Sequence, residues 1–304
     1  MQRIIVTGGA GFIGSHIVDR LVKDGNEVIV IDNESAECNN EFYHNDKAKY
    51  YKYDIEDYDL IEPLFKGVDY VFHLAAESRI QPTLDRPVKA CMTNIVGTCN
   101  ILEASRRNGI KRVMYSSTSS AYGLKNKIPL KETMDRDCLN PYSVTKTGAE
   151  DLCKMYYTLY GLETVIFRYF NVYGERQPLK GQYAPVVGLF LEMKKAGKPM
   201  TVVGDGLQTR DYTYVKDVVE ANMLAMNSNN KKILAEIFNV GTGTNHSVLD
   251  LVNMIEGEHV HLPARLGEAQ DTLADNTKLI TMLNWQPKET IDNWIQKYKM
   301  EVVI

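Results

Sequence analysis

The sequence predicts an α/β fold: a doubly wound parallel sheet followed by a smaller C-terminal lobe. In the first half, short β-branched runs alternate with helical patterns. Most of these runs are almost continuously apolar, as expected of parallel strands covered by helices on both faces. Such alternation implies right-handed βαβ crossovers. After Asn171, prolines and glycines punctuate shorter elements, and this irregular part predicts the lobe.

Each element of the sheet is predicted from a local pattern. The strands are expected at residues 4–6, 27–31, 50–53, 70–73 and 113–116. The helices are expected at residues 12–23, 87–108 and 143–160, and a glycine follows each of them, as is common just past a helix C-terminus.

The composition excludes several classes of protein. The 304 residues carry a net charge of -4, which offers no basic face for a nucleic-acid backbone. We see no apolar run long enough to cross a bilayer, and the N-terminus runs directly into a strand, so we expect no membrane segment and no signal peptide. The five cysteines are scattered without a C-x-x-C spacing. We therefore predict a cytoplasmic protein with neither disulfides nor a metal site.

A glycine-rich turn at residues 7–14 joins the first strand to the first helix. Gly8, Gly11 and Gly14 follow a G-x-x-G-x-x-G spacing. A tight turn needs residues without Cβ, a pyrophosphate must approach the backbone closely, and a helix N-terminus offers free N–H groups to an anion. The turn, with Phe12 and Ile13, therefore predicts a dinucleotide site.

An acid ends the second strand at the distance this site requires. Asp32 lies about 20 residues beyond the turn, where a carboxylate accepts hydrogen bonds from the adenine ribose. No arginine follows it among residues 33–36, which favours NAD over NADP. The alternative is a plain glycine turn with an ordinary strand-end acid. Further cofactor contacts are predicted at the ends of other strands, namely at Asn33, Asp54, Ile55, Leu74, Ala75 and Ala76.

Tyr142 and Lys146 predict redox chemistry on a hydroxyl group. Residues four positions apart share one face of a helix, and an ammonium beside a phenol lowers the phenol's pKa from about 10. Such a tyrosine can take a proton from an alcohol while a hydride leaves the same carbon. Thr118, in the hydroxyl-rich run at residues 116–120, is predicted to share the reacting oxygen. The alternatives are a solvated Tyr/Lys pair and a turn that satisfies its own backbone.

Over nearly its whole length the chain resembles the extended short-chain dehydrogenase/reductase family, in its nucleotide-sugar epimerase/dehydratase group. The resembling segments are residues 7–14, 32, 54–55, 73–76, 94, 116–123, 142–146, 168–174, 204–217 and 265–268.

The resemblance implies roles for further residues. Asn94 supports the cofactor side, and Ser116 and Tyr169 lie near the nicotinamide. The nucleotide sugar contacts Arg79, Thr118, Asn171, Val186, Arg210, Arg265 and Glu268. Arg210 also has a physical argument, since a guanidinium matches a phosphate in geometry and charge; its alternative is a surface arginine paired with Asp211.

The residues after Thr118 favour one branch of the group. Dehydratases of the group carry an aspartate and a glutamate there, and decarboxylases a serine and a glutamate; this chain has Ser119 and Ser120. Without an acid, elimination lacks its proton donor. The pattern is similar to that of the UDP-glucose 4-epimerases, although Ser119 replaces their usual alanine.

These features predict an NAD-dependent epimerase acting at C4 of a UDP-hexose through a 4-keto intermediate. The alternatives are a nucleotide-sugar oxidoreductase or dehydratase and a non-catalytic NAD-binding protein. We expect a Rossmann-like NAD domain at residues 1–170, with 213–241 returning to it, and a substrate-binding lobe at 171–212 and 242–304. The resemblance also implies a homodimer through a four-helix bundle of helices 87–108 and 143–160. The alternative is that both helices only pack on the sheet.

Overall fold

The computed structural model describes residues 1–39, 41–179, 185–264 and 270–302. The strands are β1 (Arg3–Thr7), β2 (Glu27–Ile31), β3 (Lys49–Tyr51), β4 (Tyr70–His73), β5 (Arg112–Thr118), β6 (Glu163–Tyr169), β7 (Val172–Tyr173), β8 (Met200–Val203), β9 (Thr209–Asp211), β10 (Thr213–Tyr214), β11 (Ile237–Val240), β12 (Asn245–Ser247) and β13 (His259–Leu262). The helices are α1 (Phe12–Lys23), α2 (Tyr58–Ile61), α3 (Ile80–Asp85), α4 (Pro87–Cys91), α5 (Thr98–Arg107), α6 (Pro141–Tyr160), α7 (Val186–Lys195), α8 (Val215–Asn227), α9 (Val248–Ile255), α10 (Thr277–Leu283) and α11 (Ile291–Val302).

Seven strands form one parallel sheet in the order β11-β6-β5-β4-β1-β2-β3. The strand order reverses between β1 and β4, and ligands bind beyond the carboxyl ends of the strands at such a switch point. The predicted doubly wound sheet is therefore confirmed. Three strands differ from their predicted bounds: the first is Arg3–Thr7, the third is Lys49–Tyr51 and the fifth extends over Arg112–Thr118.

The helices follow the sequence signals, with one exception. Helix α1 has its predicted bounds. Helix α6 begins two residues earlier than predicted, because Asn140 and Ser143 form a reciprocal capping box and Pro141 occupies the first position. The single regular helix predicted at 87–108 is wrong in its middle, where the π-helical segment Met92–Gly97 separates α4 from α5.

The sheet is buried on both faces. Helices α1, α8 and α10 cover one face, and α2, α5 and α6 cover the other. Strand β5 is buried along its entire length. Near-continuous apolar strands are therefore the direct consequence of a sheet that meets no water.

A third core lies in the lobe, where α7, α9 and α11 pack around three two-stranded sheets. Strand β11 returns to the main sheet beside β6, and α8 packs on α1, which supports the proposed division of the chain. Because α10 packs on α8 and β11, we propose to add residues 277–285 to the first domain. Among the described helices, none has the length and apolarity needed to span a bilayer.

Candidate active site

A cavity of about 550 Å³ lies at the carboxyl edge of the sheet, between the first domain and the lobe. Most of the site residues predicted from the sequence line this cavity. The predicted residues that line it are Gly8, Gly11, Phe12, Ile13, Gly14, Asp32, Asn33, Asp54, Ile55, Leu74, Ala75, Ala76, Arg79, Ser116, Thr118, Tyr142, Lys146, Tyr169, Asn171, Val186 and Arg210. The fold therefore brings together Gly8 and Arg210, which lie at opposite ends of this set of residues in the chain.

The glycine turn has no room for a side chain at Gly8 or Gly14. A Cβ on Gly14 would lie 2.1 Å from the carbonyl oxygen of Gly8, and a Cβ on Gly8 would lie 2.7 Å from the amide nitrogen of Ala75. Gly8 also has a φ of +69°, which favours glycine. Gly11, the N-cap of α1, has no side chain to occupy the first N–H groups, and the first turn of the helix lines the cavity, as suits a pyrophosphate. The turn fits a dinucleotide.

Asp32 is held in place by the backbone around it. Its two carboxylate oxygens accept hydrogen bonds from the amides of Ala10 (2.9 Å) and Glu34 (2.8 Å). Burial raises the pKa of Asp32, and these two bonds oppose the shift. Each oxygen keeps lone-pair capacity for a ribose hydroxyl. Beside it, the Asn33 amide donates to Asp54 over 2.9 Å.

Asn94 does not itself line the cavity but holds Glu77, which does, so its predicted role on the cofactor side stays a prediction. Its amide nitrogen donates to the carbonyl of Glu77 (3.1 Å) and to the Thr145 hydroxyl (2.9 Å), and its oxygen accepts from the Glu77 amide (2.8 Å). Asn94 lies in the π-helical segment and is almost fully buried. It therefore fixes the loop after β4 to the start of α6.

His73 is a site-supporting residue that the sequence analysis missed. Its ring lies between the hydroxyls of Thr7 (2.7 Å to Nδ1) and Thr98 (2.9 Å to Nε2). The Thr98 hydroxyl already donates to the carbonyl of Asn94, so it accepts from Nε2–H of His73. Burial lowers the pKa of His73 to about 3, which keeps the ring neutral. The sequence signal for this role was a histidine at the end of an apolar strand.

Tyr142 and Thr118 meet at the inner end of the cavity. Burial raises the pKa of the Tyr142 phenol, whereas a hydrogen bond with Thr118 and the charge of Arg79 lower it. The predicted effect of Lys146 on this pKa stays a prediction. The Nζ of Lys146 lies 4.5 Å from the centre of the Tyr115 ring, and burial lowers the pKa of Lys146 to about 7. A buried ammonium without a carboxylate in contact loses its proton more easily.

A buried ion pair, also missed, supports this end of the cavity. Glu150 accepts two hydrogen bonds from Arg168, of 2.9 and 2.7 Å, and a third from Ser117 of 2.5 Å. Glu150 lies one helical turn after Lys146, and Ser117 directly precedes Thr118. The pair thereby links α6 to β5 and β6. Its signal was a glutamate on the same helical face as Tyr142 and Lys146.

Tyr169 closes the floor beneath the predicted nicotinamide position. Its hydroxyl is bonded to Ser116 (3.0 Å) and accepts from the Asn222 amide (2.8 Å). Burial raises the pKa of Tyr169 to about 12, so this phenol stays protonated at neutral pH. It is therefore a fixed wall of the cavity.

The lobe supplies the opposite end. Asn171, Val186 and Arg210 line it, and Arg210 donates to the carbonyls of Thr209 (2.9 Å) and Gln270 (3.0 Å). Tyr212 also lines it, with a buried hydroxyl that has no hydrogen-bond partner in the described part of the chain.

Asp211, the neighbour of Arg210, is fully buried. Its carboxylate accepts from Thr242, Gly243 and Ala274 over 2.8 to 3.1 Å. The predicted substrate contacts of Arg265 and Glu268 lie outside the described residues. Within those residues no group of histidine, cysteine, aspartate and glutamate side chains is arranged to hold a metal ion.

Comparison with known proteins gives consistent matches over the full chain. A family model described as "NAD dependent epimerase/dehydratase family" matches residues 4–241. UDP-glucose 4-epimerase of Mycolicibacterium smegmatis is 38% identical over 308 residues, covering 97% of this chain and 97% of that protein. UDP-glucose 4-epimerase of Thermotoga maritima, solved with UDP-glucose, superposes with a TM-score of 0.92 at 37% identity, covering 99% of this chain and all of that one. The Thermus thermophilus UDP-glucose 4-epimerase complex with NAD gives a TM-score of 0.88 at 33% identity, covering 97% and 96%.

Proposed function

This chain belongs to the NAD-dependent epimerase/dehydratase family, and on that premise we propose that it interconverts the C4 epimers of a UDP-hexose, UDP-glucose and UDP-galactose or their N-acetyl forms. One observation carries the proposal. Tyr142 and Thr118 line the same cavity as the glycine turn and Arg210. One cavity therefore offers a position for a dinucleotide at the glycine turn, for a reacting hydroxyl at Tyr142 and Thr118, and for a sugar diphosphate at Arg210.

Each residue has a defined part in the reaction. NAD, when bound, supplies the hydride acceptor and later the hydride donor. Tyr142 removes the proton of the sugar 4-hydroxyl as the C4–H bond breaks, and Thr118 holds the same oxygen. Tyr142 returns the proton once the 4-keto sugar has turned its other face. Arg210 and Asn171 anchor the diphosphate during that turn, so that remote binding energy supports reaction at the distal sugar.

Elimination of water is disfavoured by the wall next to Thr118. Ser119 and Ser120 line the cavity where dehydratases of the group carry acids. A serine hydroxyl is too weak an acid to protonate a leaving hydroxide at neutral pH. We therefore favour epimerisation over the dehydratase alternative.

The test is conversion of UDP-galactose to UDP-glucose by the purified protein without added NAD, followed by nuclear magnetic resonance. Tyr142→Phe should abolish turnover and retain bound NAD. Tyr160→Phe is the matched control, because Tyr160 is exposed at the other end of α6. Full activity of Tyr142→Phe would refute the assigned role. Steady accumulation of NADH on addition of NAD would instead identify a net oxidoreductase.

A second experiment tests which sugar and which nucleotide base the protein accepts. A panel of UDP-, GDP-, CDP- and dTDP-sugars, each with and without an N-acetyl group, is incubated with the protein. Preferential interconversion of UDP-hexoses supports the proposal, and NAD binding without conversion of any sugar supports a non-catalytic protein.

We also propose a cytoplasmic homodimer formed through helices α4 to α6. Apolar side chains are exposed on these helices at Val88, Met92 and Val96, which are spaced one turn apart, and at Val144 and Leu159. Such spacing forms one stripe along a helix. Two helical segments from each subunit would bury both stripes as a four-helix bundle. All five cysteines are free thiols, as expected in a reducing compartment.

A further inference from the structure

The loop between β2 and β3 passes along one end of the cavity. At this end Asp32 is predicted to bind the adenosine of NAD. The residues of the loop that line the cavity are Ser35, Ala36, Cys38, Asn39 and Phe42. An adenosine bound here would contact the loop as well as the sheet, so the anchoring of the loop bears on how long NAD stays bound.

Residues 41–45 of this loop, which we call the strap, are anchored next to the glycine turn. The amide of Tyr43 donates to the carbonyl of Ala10 over 2.9 Å. The side-chain amide of Asn45 donates to Asp19 on α1 over 2.7 Å. Phe42, which lines the cavity, directly precedes Tyr43. The contacts of Tyr43 therefore also fix the part of the strap that meets the cofactor site.

Arg176 holds the strap from the segment that leads from β7 into the lobe. Its guanidinium donates to Asp19 over 2.7 Å, and its central carbon lies 5.0 Å from the centre of the Tyr43 ring. A cation over an aromatic ring is attracted by the negative face of the ring. The two oxygens of the Asp19 carboxylate are thus divided between Asn45 of the strap and Arg176. Arg176 therefore joins the strap, α1 and the lobe.

The backbone at Arg176 is left-handed, with a φ of +65°. This conformation is unfavourable for a residue with a Cβ and persists where the surrounding contacts impose it. The carbonyl of the preceding Glu175 accepts a hydrogen bond from the His16 ring on α1 over 2.8 Å. With this bend the side chain of Arg176 reaches Asp19 and Tyr43. In the described part of the chain Arg176 does not line the cavity, so it affects NAD through the strap.

We propose that Arg176 is a positioning residue for the cofactor, which slows the release of NAD by holding the strap through Tyr43 and Asp19. The inference goes beyond the proposed function, because it concerns the cofactor of the family and holds whichever sugar reacts. An enzyme that reduces and reoxidises the same NAD in each cycle stops when the NAD leaves. Slow release therefore keeps such an enzyme active where free NAD is scarce.

The experiment follows the loss of radiolabelled NAD from the NAD-loaded protein after dilution into excess unlabelled NAD, with no sugar present. For Arg176→Gln we expect release about tenfold faster, because a partly exposed ion pair and a cation–π contact are lost together. Tyr43→Leu should accelerate release about threefold, because it loses the ring and keeps the backbone bond to Ala10. Arg176→Lys keeps a cation and should restore slow release to within about twofold of the wild type.

Arg20→Gln is the matched control. Arg20 follows Asp19 on α1, is 37% exposed against 30% for Arg176, and pairs with Asp24 and Glu220 instead of the strap. It should release NAD at the wild-type rate. An equal acceleration in Arg20→Gln would overturn the inference, because the effect would then belong to α1 as a whole. Wild-type release in Arg176→Gln would overturn it directly.

A further variant separates the side chain of Arg176 from its backbone. Arg176→Gly removes the guanidinium and relieves the left-handed conformation, and we expect it to release NAD as fast as Arg176→Gln. Slow release in Arg176→Gly would assign the effect to the backbone and contradict the role of the guanidinium. If the Arg176 variants do not fold, Tyr43→Leu tests the same contact from the strap, and its release at the wild-type rate refutes the inference.

Discussion

Replacing Glu150 by glutamine should lower the melting temperature by about 5–8 °C, because the Arg168 guanidinium then stays buried without its counter-charge. Both side chains are at most 2% exposed. Removing one partner of a buried ion pair costs about 3–5 kcal/mol. The unfolding entropy is about 2.1 cal/mol/K per residue, or about 0.6 kcal/mol/K for 304 residues. Dividing the cost by this entropy gives the expected shift.

Thermal unfolding followed by circular dichroism measures the effect on the NAD-bound protein. Asp151→Asn is the matched control. Asp151 is the next residue on α6, and its side chain is 61% exposed in an ion pair with Arg136. An exposed pair of this kind contributes less than about 1 kcal/mol, hence less than about 2 °C. The double variant Glu150→Leu with Arg168→Met, which removes both charges, should be more stable than Glu150→Gln. Equal melting temperatures for Glu150→Gln and Asp151→Asn would refute the argument.

Three further predictions concern pH, the glycine turn and association. Because the pKa of His73 is lowered to about 3, its stability contribution is complete above about pH 6.5 and is lost as the pH falls toward 3. Denaturant titrations should show a loss of about 2 kcal/mol between pH 7 and pH 5 that His73→Gln lacks; equal slopes would contradict it. Gly14→Ala should lose bound NAD, measured by chromatography after acid release, and Gly11→Ala should lose less, since its Cβ would meet nothing closer than 3.4 Å; unchanged NAD content in Gly14→Ala would contradict the turn's role. Met92→Glu should convert the proposed dimer to a monomer in light scattering, whereas Leu124→Glu, exposed in a different region, should not; a dimer that persists in Met92→Glu would exclude this helix face.

The parts of the site that depend on the local backbone were predictable. Gly8 and Gly14 follow from a turn that has no room for a Cβ at either position, and the spacing of Tyr142 and Lys146 places both on one helical face. Strand ends gather at one edge of a parallel sheet, so Asp32 could be assigned to the cavity without tertiary information.

The parts that depend on tertiary packing were not. The direction of the Lys146 side chain is set by the Tyr115 ring, which reaches it from another strand. The amide of Asn94 is turned to Glu77 and Thr145 by a π-helical segment that no periodicity indicates. The partners of His73 and Glu150 lie in distant segments, so their burial is visible only once the strands are placed side by side.

Asp211 determines how the lobe wall of the cavity can move. Its carboxylate ties β9 to the segment after β11 and to Ala274, three stretches that are far apart in the chain. Both carboxylate oxygens accept hydrogen bonds from these stretches. Displacing one stretch alone would leave a buried carboxylate oxygen without one of its hydrogen bonds, which is costly. We therefore expect any movement of the cavity wall beside Arg210 to carry β9, the segment after β11 and Ala274 together.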